Sequence, residues 1–121
     1  MEAGTRRCVA YVAARLITSK SAGSVYDYSS GGHTSMSATI TATSVNAYDH
    51  GRGAHFSGSR NGDRCNLYDY GRSAHVNLEI DGSTFKGYDY GAGCDFSGTV
   101  QPNGSVSLYD YGAGSYFSYS I

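Results

Sequence analysis

The residues most able to do chemistry in this chain come as a repeated set. Tyr68-Asp69-Tyr70-Gly71 recurs as Tyr26-Asp27-Tyr28, Tyr48-Asp49-His50-Gly51, Tyr88-Asp89-Tyr90-Gly91 and Tyr109-Asp110-Tyr111-Gly112, at a period of about 20 residues. Two kinds of chemistry follow. Each aspartate (Asp27, Asp49, Asp69, Asp89, Asp110) sits one or two residues before a turn, where a carboxylate can accept backbone N–H groups and cap the turn. The same carboxylates gathered at one place could instead hold a cation, but calcium needs its oxygens at about 2.3 to 2.6 Å, closer than side chains on alternate strands can come. Tyrosines interleaved with His55 and His75 form aromatic surfaces with polar tips, suited to stacking on a sugar or seating a partner. The competing role for these rings is plain sheet stabilisation, by about 0.2 to 1 kcal/mol per cross-strand pair.

Other chemistry is thin. His55 and His75 lie two strands apart, too far to share a zinc ion at about 2.0 to 2.1 Å from each nitrogen. Cys8, Cys65 and Cys94 have neither metal-like spacing nor a pairing geometry. No Ser-His-Asp set, phosphate loop or nucleotide fingerprint is present, so an enzyme is not expected, and neither a metal nor a cofactor.

These residues must be positioned by short strands. The alternation around each motif reads as antiparallel hairpins, with Gly51-Arg52, Gly71-Arg72, Gly91-Ala92 and Gly112-Ala113 expected as two-residue type II′ turns led by glycine. Asn61-Gly62, Asp81-Gly82 and Asn103-Gly104 are expected as type I′ turns at the opposite end, with an extra residue at Pro102-Asn103-Gly104 implying a three-residue loop and a bulge. With those turns Asp69 faces Ala74, Tyr68 faces His75, Leu78 faces Phe85, Arg60 faces Asp63 and Phe56 faces Leu67. One face then holds Ala74, Val76, Leu78 and Ile80 with Phe56, Phe85, Phe96, Leu67, Leu108 and Phe117; a one-residue slip would destroy that sorting.

The fold class is therefore all-β: an antiparallel up-and-down meander of ten or eleven short strands from five Tyr-Asp hairpins, closed or flattened into a barrel. A β-solenoid is the rival, but it would stack Asp49, Asp69 and Asp89 about 4.8 Å apart, at roughly 3 kcal/mol per like-charged pair in an effective dielectric of 20. Residues 1–121 form one domain, with 1–24 an N-terminal strand and linker and 25–121 the five hairpins. Residues 8–18 fit either a helical face or a strand; the four β-branched side chains and the edge a meander offers favour a strand.

In this register an outer belt runs Tyr48, His55, Tyr68, His75, Tyr88, Asp95, Tyr109 and Tyr116, continued by Tyr26 and His33. An inner row runs Asp49, Ala54, Asp69, Ala74, Asp89, Cys94, Asp110 and Ser115. The run Tyr68-Asp69-Tyr70-Gly71-Arg72, followed by Tyr88-Asp89-Tyr90-Gly91, resembles the YD repeats of Rhs-type shells, with one residue rather than two between Asp and Gly-Arg; no function is carried across from that family.

With a net charge of −1 and only two lysines, the chain lacks a nucleic-acid footprint, and no apolar run is long enough to span a membrane as a helix. The apolar stretch after Arg6-Arg7 is cut by Arg15, short for a secretory signal, so the expected compartment is the cytoplasm and no membrane partner is expected. The expected function is a non-enzymatic binding module that presents the Tyr/His belt to a carbohydrate or protein partner. The alternatives are a structural or self-assembling repeat protein, a homo-oligomer through its tyrosine face, and a barrel with a small ligand inside.

Overall fold

A computed structural model describes residues 1–121. One helix, α1 (Ala3–Thr18), precedes ten strands: β1 (Ser24–Asp27), β2 (Gly32–Ile40), β3 (Ser44–Asp49), β4 (Ala54–Asn61), β5 (Arg64–Asp69), β6 (Ala74–Asp81), β7 (Thr84–Asp89), β8 (Cys94–Val100), β9 (Ser105–Asp110) and β10 (Ser115–Ser120). Every strand pairs antiparallel with its sequence neighbours, and β10 returns to β1, closing the barrel. The closing seam is short: Tyr26 lies opposite Ser120 and Asp27 opposite Tyr119, with one further bond from Tyr28 N–H to the Ser118 carbonyl.

The N-terminal segment is the main correction to the sequence reading. Residues 8–18 belong to a helix, not a strand, and the helix fills the barrel lumen. Cys8, Val9, Ala10, Tyr11, Val12, Ala13 and Ala14 are all fully buried and join the inward side chains of the strands in a single core. The physical reason is backbone accounting. A barrel that closes β1 onto β10 leaves no free edge for an eleventh strand, and a segment sealed in the lumen must satisfy its own N–H and C=O groups. A helix does that within itself, and the small Ala10, Ala13 and Ala14 let it fit between the walls. It ends at Ser19, which adopts a left-handed conformation (φ 57°) and donates its N–H to the Arg15 carbonyl.

The inside–outside sorting expected from alternation holds at every motif hairpin: Asp49 faces Ala54, Asp69 faces Ala74, Asp89 faces Cys94 and Asp110 faces Ser115. At the opposite end the register differs by two residues. Ile80, not Leu78, faces Phe85; Cys65, not Asp63, faces Arg60; and Gly58, not Phe56, faces Leu67. The loops there are Gly62-Asp63 and Gly82-Ser83, with positive φ only at Gly62 and Gly82 (61° each), so Asn61 and Asp81 end their strands instead of entering type I′ turns. A two-residue shift preserves facing, which is why the core assignment survives it.

The motif turns also differ from expectation. They are four-residue loops, and the positive φ falls on the last residue (Gly31, Gly53, Ser73, Gly93, Gly114), not on the leading glycine. Gly71 and Gly91 answer to a different cause, close approach. A Cβ at Gly71 would lie 2.8 Å from the movable end of Arg52, and one at Gly91 2.7 Å from the fixed Ala74 Cβ. Three inward glycines within strands, Gly58, Gly87 and Gly98, have no room for a side chain: a methyl there would strike the Asn66, Asn77 and Ser107 carbonyl oxygens respectively. They stand where the neighbouring strand's backbone approaches too closely for any side chain, a place that only glycine fills.

Candidate functional site

Two structures ring the same end of the barrel, one inside the wall and one outside. Inside, all five motif aspartates are buried. Each carboxylate folds back over its own loop: Asp27 accepts from Ser29 N–H, Asp49 from Gly51 and residue 52, Asp69 from Gly71, Asp89 from Gly91 and Ala92, and Asp110 from Gly112 and Ala113. Four of the five also pair with cations; Asp27 has no ion pair, and Asp89 pairs through the oxygen that caps its loop, leaving its other oxygen without a hydrogen-bond partner. Arg52 donates Nε to Asp49 (2.8 Å) and Nη1 to Asp69 (3.1 Å). Arg72 pairs with Asp89. From the helix and the residues just before it, Arg6 and the Met1 ammonium reach Asp110 (3.1 Å each), Arg7 approaches Asp49 (3.8 Å) and the Thr5 hydroxyl donates to Asp69 (2.7 Å).

The first turn of α1 thus lies against the acidic ring, where its partial positive charge is favourable. Burial alone would push the Asp49 carboxyl upward; the side-chain and backbone bonds from Arg52 and the charges of Arg52 and Arg7 outweigh it and hold it below its ordinary value. The Asp110 carboxyl is likewise lowered, burial being outweighed by the ammonium, the Ala113 N–H and Arg6. Arg52 is also held more firmly protonated than usual: desolvation opposes its charge, but the bonds to the two aspartates prevail. This arrangement stitches helix to barrel with carboxylate–guanidinium pairs. No group of three or more His, Cys, Asp or Glu side chains is placed to hold a metal ion.

Two of the three thiols, Cys8 and Cys65, are buried, and burial raises the pKa of both. All three are free. Cys8 lies inside the wall, 3.2 Å from Arg52 Nη2; burial pushes its pKa up to about 12 despite that neighbour.

Outside, the belt residues lie in one row with the expected partners: Tyr26 with His33, Tyr48 with His55, Tyr68 with His75, Tyr88 with Asp95 and Tyr109 with Tyr116. Each first tyrosine is half-buried and held edge-on by its neighbours. Tyr68 lies 4.7 Å from Tyr70 and 4.8 Å from His75, centroid to centroid; Tyr48 lies between His50 and His55, and Tyr109 between Tyr111 and Tyr116, at similar distances. The second aromatic of each motif leans over the preceding hairpin. Its backbone N–H bonds there, as from Tyr70 to the His55 carbonyl and from Tyr90 to the His75 carbonyl. Those second rings are open to solvent: Tyr28, Tyr70, Tyr90 and Tyr111 are 58–61% exposed, and Tyr116 is 72% exposed.

Sequence reasoning missed the cationic half of the mouth. Arg52 and Arg72 were visible only as turn residues, and Arg6 and Arg7 only as a terminal basic pair. The signal available was the unbalanced inner row of carboxylates, which demands partners. Comparison with protein families, with curated proteins and with solved structures finds no match to this chain. The likeness of its motif to YD repeats is therefore one of residues and period alone.

Proposed function

We propose that this protein is a non-enzymatic binding module whose outer Tyr/His belt receives a carbohydrate or protein partner. The observation that carries this reading is the exposure of five tyrosine rings along one rim, each steadied edge-on by a half-buried neighbour. A ring held in place loses little freedom on binding, and its polar tip can hydrogen-bond while its face stacks. The lumen, where a barrel commonly holds a ligand, is taken by α1, which leaves the outer wall as the accessible surface.

That wall carries Ser37, Thr39, Ser57, Ser97 and Ser107 below the belt, the opposite of the apolar band of a lipid-facing barrel. No helix is long and apolar enough to cross a membrane. Binding without catalysis is supported by the burial of Cys8 in the core and by the scattering of the histidines, each set beside a tyrosine. A second reading, self-assembly through the tyrosine rim, draws on the same exposed rings.

The test is a binding screen against a glycan panel with the Tyr68→Ala/Tyr88→Ala double variant as control. Loss of partner with a retained cooperative melt supports the binding role. Unfolding of the double variant would assign the belt to architecture instead.

A further inference from the structure

Five repeats of one hairpin provide an internal control, because a scaffold must repeat and a site need not. Along the outward positions the repeats are nearly uniform. The fourth residue of each returning strand is Ser35, Ser57, Ser97 and Ser118, but Asn77 in β6. Two residues on stand Ser37, Ser59, Thr99 and Ser120, but Glu79 in β6. The position two before each motif tyrosine holds Ser24, Asn46, Asn66 and Ser107, but Lys86 in β7. The belt partner of each first tyrosine is His33, His55, His75 or Tyr116, but Asp95 in β8.

All four departures line the same depression on the outer wall, a groove of about 800 Å3 across β5 to β8 that also takes in Arg64, Tyr88 and Tyr111. Gly87, where the other repeats have Val25, Ala47, Leu67 and Leu108, also borders the groove. Asp95 removes a ring. Tyr26, Tyr48, Tyr68 and Tyr109 are each flanked by two aromatic rings, whereas Tyr88 has only Tyr90, 4.8 Å away, and its other side opens toward the groove.

The charged side chains gathered there lie opposite one another without closing into ion pairs. Arg64 lies opposite Glu79, and Glu79 opposite Lys86, yet the seven ion pairs of the protein all lie at the aspartate mouth. Two cations (Arg64, Lys86) and two carboxylates (Glu79, Asp95) balance, so the groove has no net attraction for an anion or a cation. What it offers is both donors and acceptors, an amide at Asn77 and the uncovered ring of Tyr88. Vicinal hydroxyls take paired donors and acceptors, and a pyranose C–H face stacks on a phenol.

We infer that the β5–β8 groove is the ligand site of this protein and that it takes a neutral oligosaccharide, with Asp95 and Glu79 accepting from hydroxyls and Tyr88 stacking on a ring. This deepens the belt reading and rests on it, by concentrating binding in one sector of the barrel.

The test is a titration of the full chain, followed by amide chemical shifts, with neutral gluco-, manno-, galacto- and chito-oligosaccharides and with an acidic oligogalacturonate. The variant Glu79→Ser/Asp95→His returns two groove positions to residues the other repeats already carry, so it should melt like the parent. A second variant, Tyr28→Ala/Tyr48→Ala, alters the belt on other hairpins. Shifts confined to β5–β8, and affinity at least tenfold weaker in the groove variant alone, support the inference. Affinity lost only in the Tyr28/Tyr48 variant overturns the groove and leaves the belt reading standing. Preference for the acidic oligomer overturns the neutral-ligand assignment, and no shift with any sugar overturns both the groove and the carbohydrate reading.

Discussion

Replacing Arg52 by alanine should be among the most damaging single changes at the barrel mouth. The guanidinium joins Asp49 to Asp69 across two hairpins and lies over Gly4 of the helix, where even a Cβ would come within 2.5 Å of Arg52 Cδ. Removing it leaves two fully buried carboxylates short of a cation. Breaking a buried ion pair costs about 3 to 5 kcal/mol. Two facts set the value at the lower end. The Arg52 side chain is itself 20% exposed, and both aspartates keep other donors: Gly51 N–H for Asp49, Gly71 N–H and the Thr5 hydroxyl for Asp69. We therefore expect a loss of about 3 kcal/mol, read as a fall of roughly 10 °C in melting temperature for a chain of this size. Urea unfolding followed by far-ultraviolet circular dichroism gives the free energy directly. Repeating Arg52→Ala in an Asp69→Asn background should recover at least about 1 kcal/mol of the loss, since one buried charge is then gone. A cost below about 0.5 kcal/mol, the range of an ordinary surface substitution, would refute the reasoning and mean that the mouth is solvated.

Two further outcomes follow. Gly58→Ala drives a methyl into the Asn66 carbonyl and should destabilise the barrel by about 2 kcal/mol or more by the same unfolding assay, whereas Gly62→Ala, in open space at a turn of positive φ, should cost only about 1 to 2 kcal/mol. Melting temperature against pH should show a plateau with two falling edges. The Asp49 and Asp110 carboxyls are lowered by folding, so their contribution is present above the unfolded carboxylate range and is lost as pH drops below about 4. Cys8 and Tyr119 are raised by burial to about 12, so the stability tied to their neutral forms is complete below their unfolded values and is lost as pH rises from about 9 toward 12.

Much of this barrel was legible in its residues, for a physical reason that also marks the limit. Alternation along a strand is a two-state signal: Val76 and Leu78 in, His75 and Asn77 out. Repetition at a period of about 20 residues confirms it five times over. The outer belt and the inner aspartate row followed from that signal alone. Turn geometry did not, because glycine is called for both by positive φ, as at Gly53 and Gly62, and by crowding, as at Gly71 and Gly91. The sequence pattern Tyr-Asp-Tyr-Gly cannot tell those causes apart. The helix was hidden by its own burial. A helix enclosed on all sides, as Cys8 to Ala14 is, carries no polar face and so no amphipathic period, and Val9, Val12 and Ile17 read equally well as strand residues. The cations that serve the aspartates are separated from them by up to about a hundred residues of chain, as Arg6 is from Asp110, a distance no local pattern spans.

The central claim is that the exposed tyrosine rim receives a partner other than a second copy of this chain. The measurement that bears on it most directly is the solution mass by light scattering across a wide concentration range, with the same sample applied to a glycan panel. The account predicts a particle near the chain mass of 12.8 kDa that retains at least one glycan. A stable dimer that binds no glycan and dissociates on Tyr68→Ala/Tyr88→Ala would contradict it, and would make the rim an assembly surface.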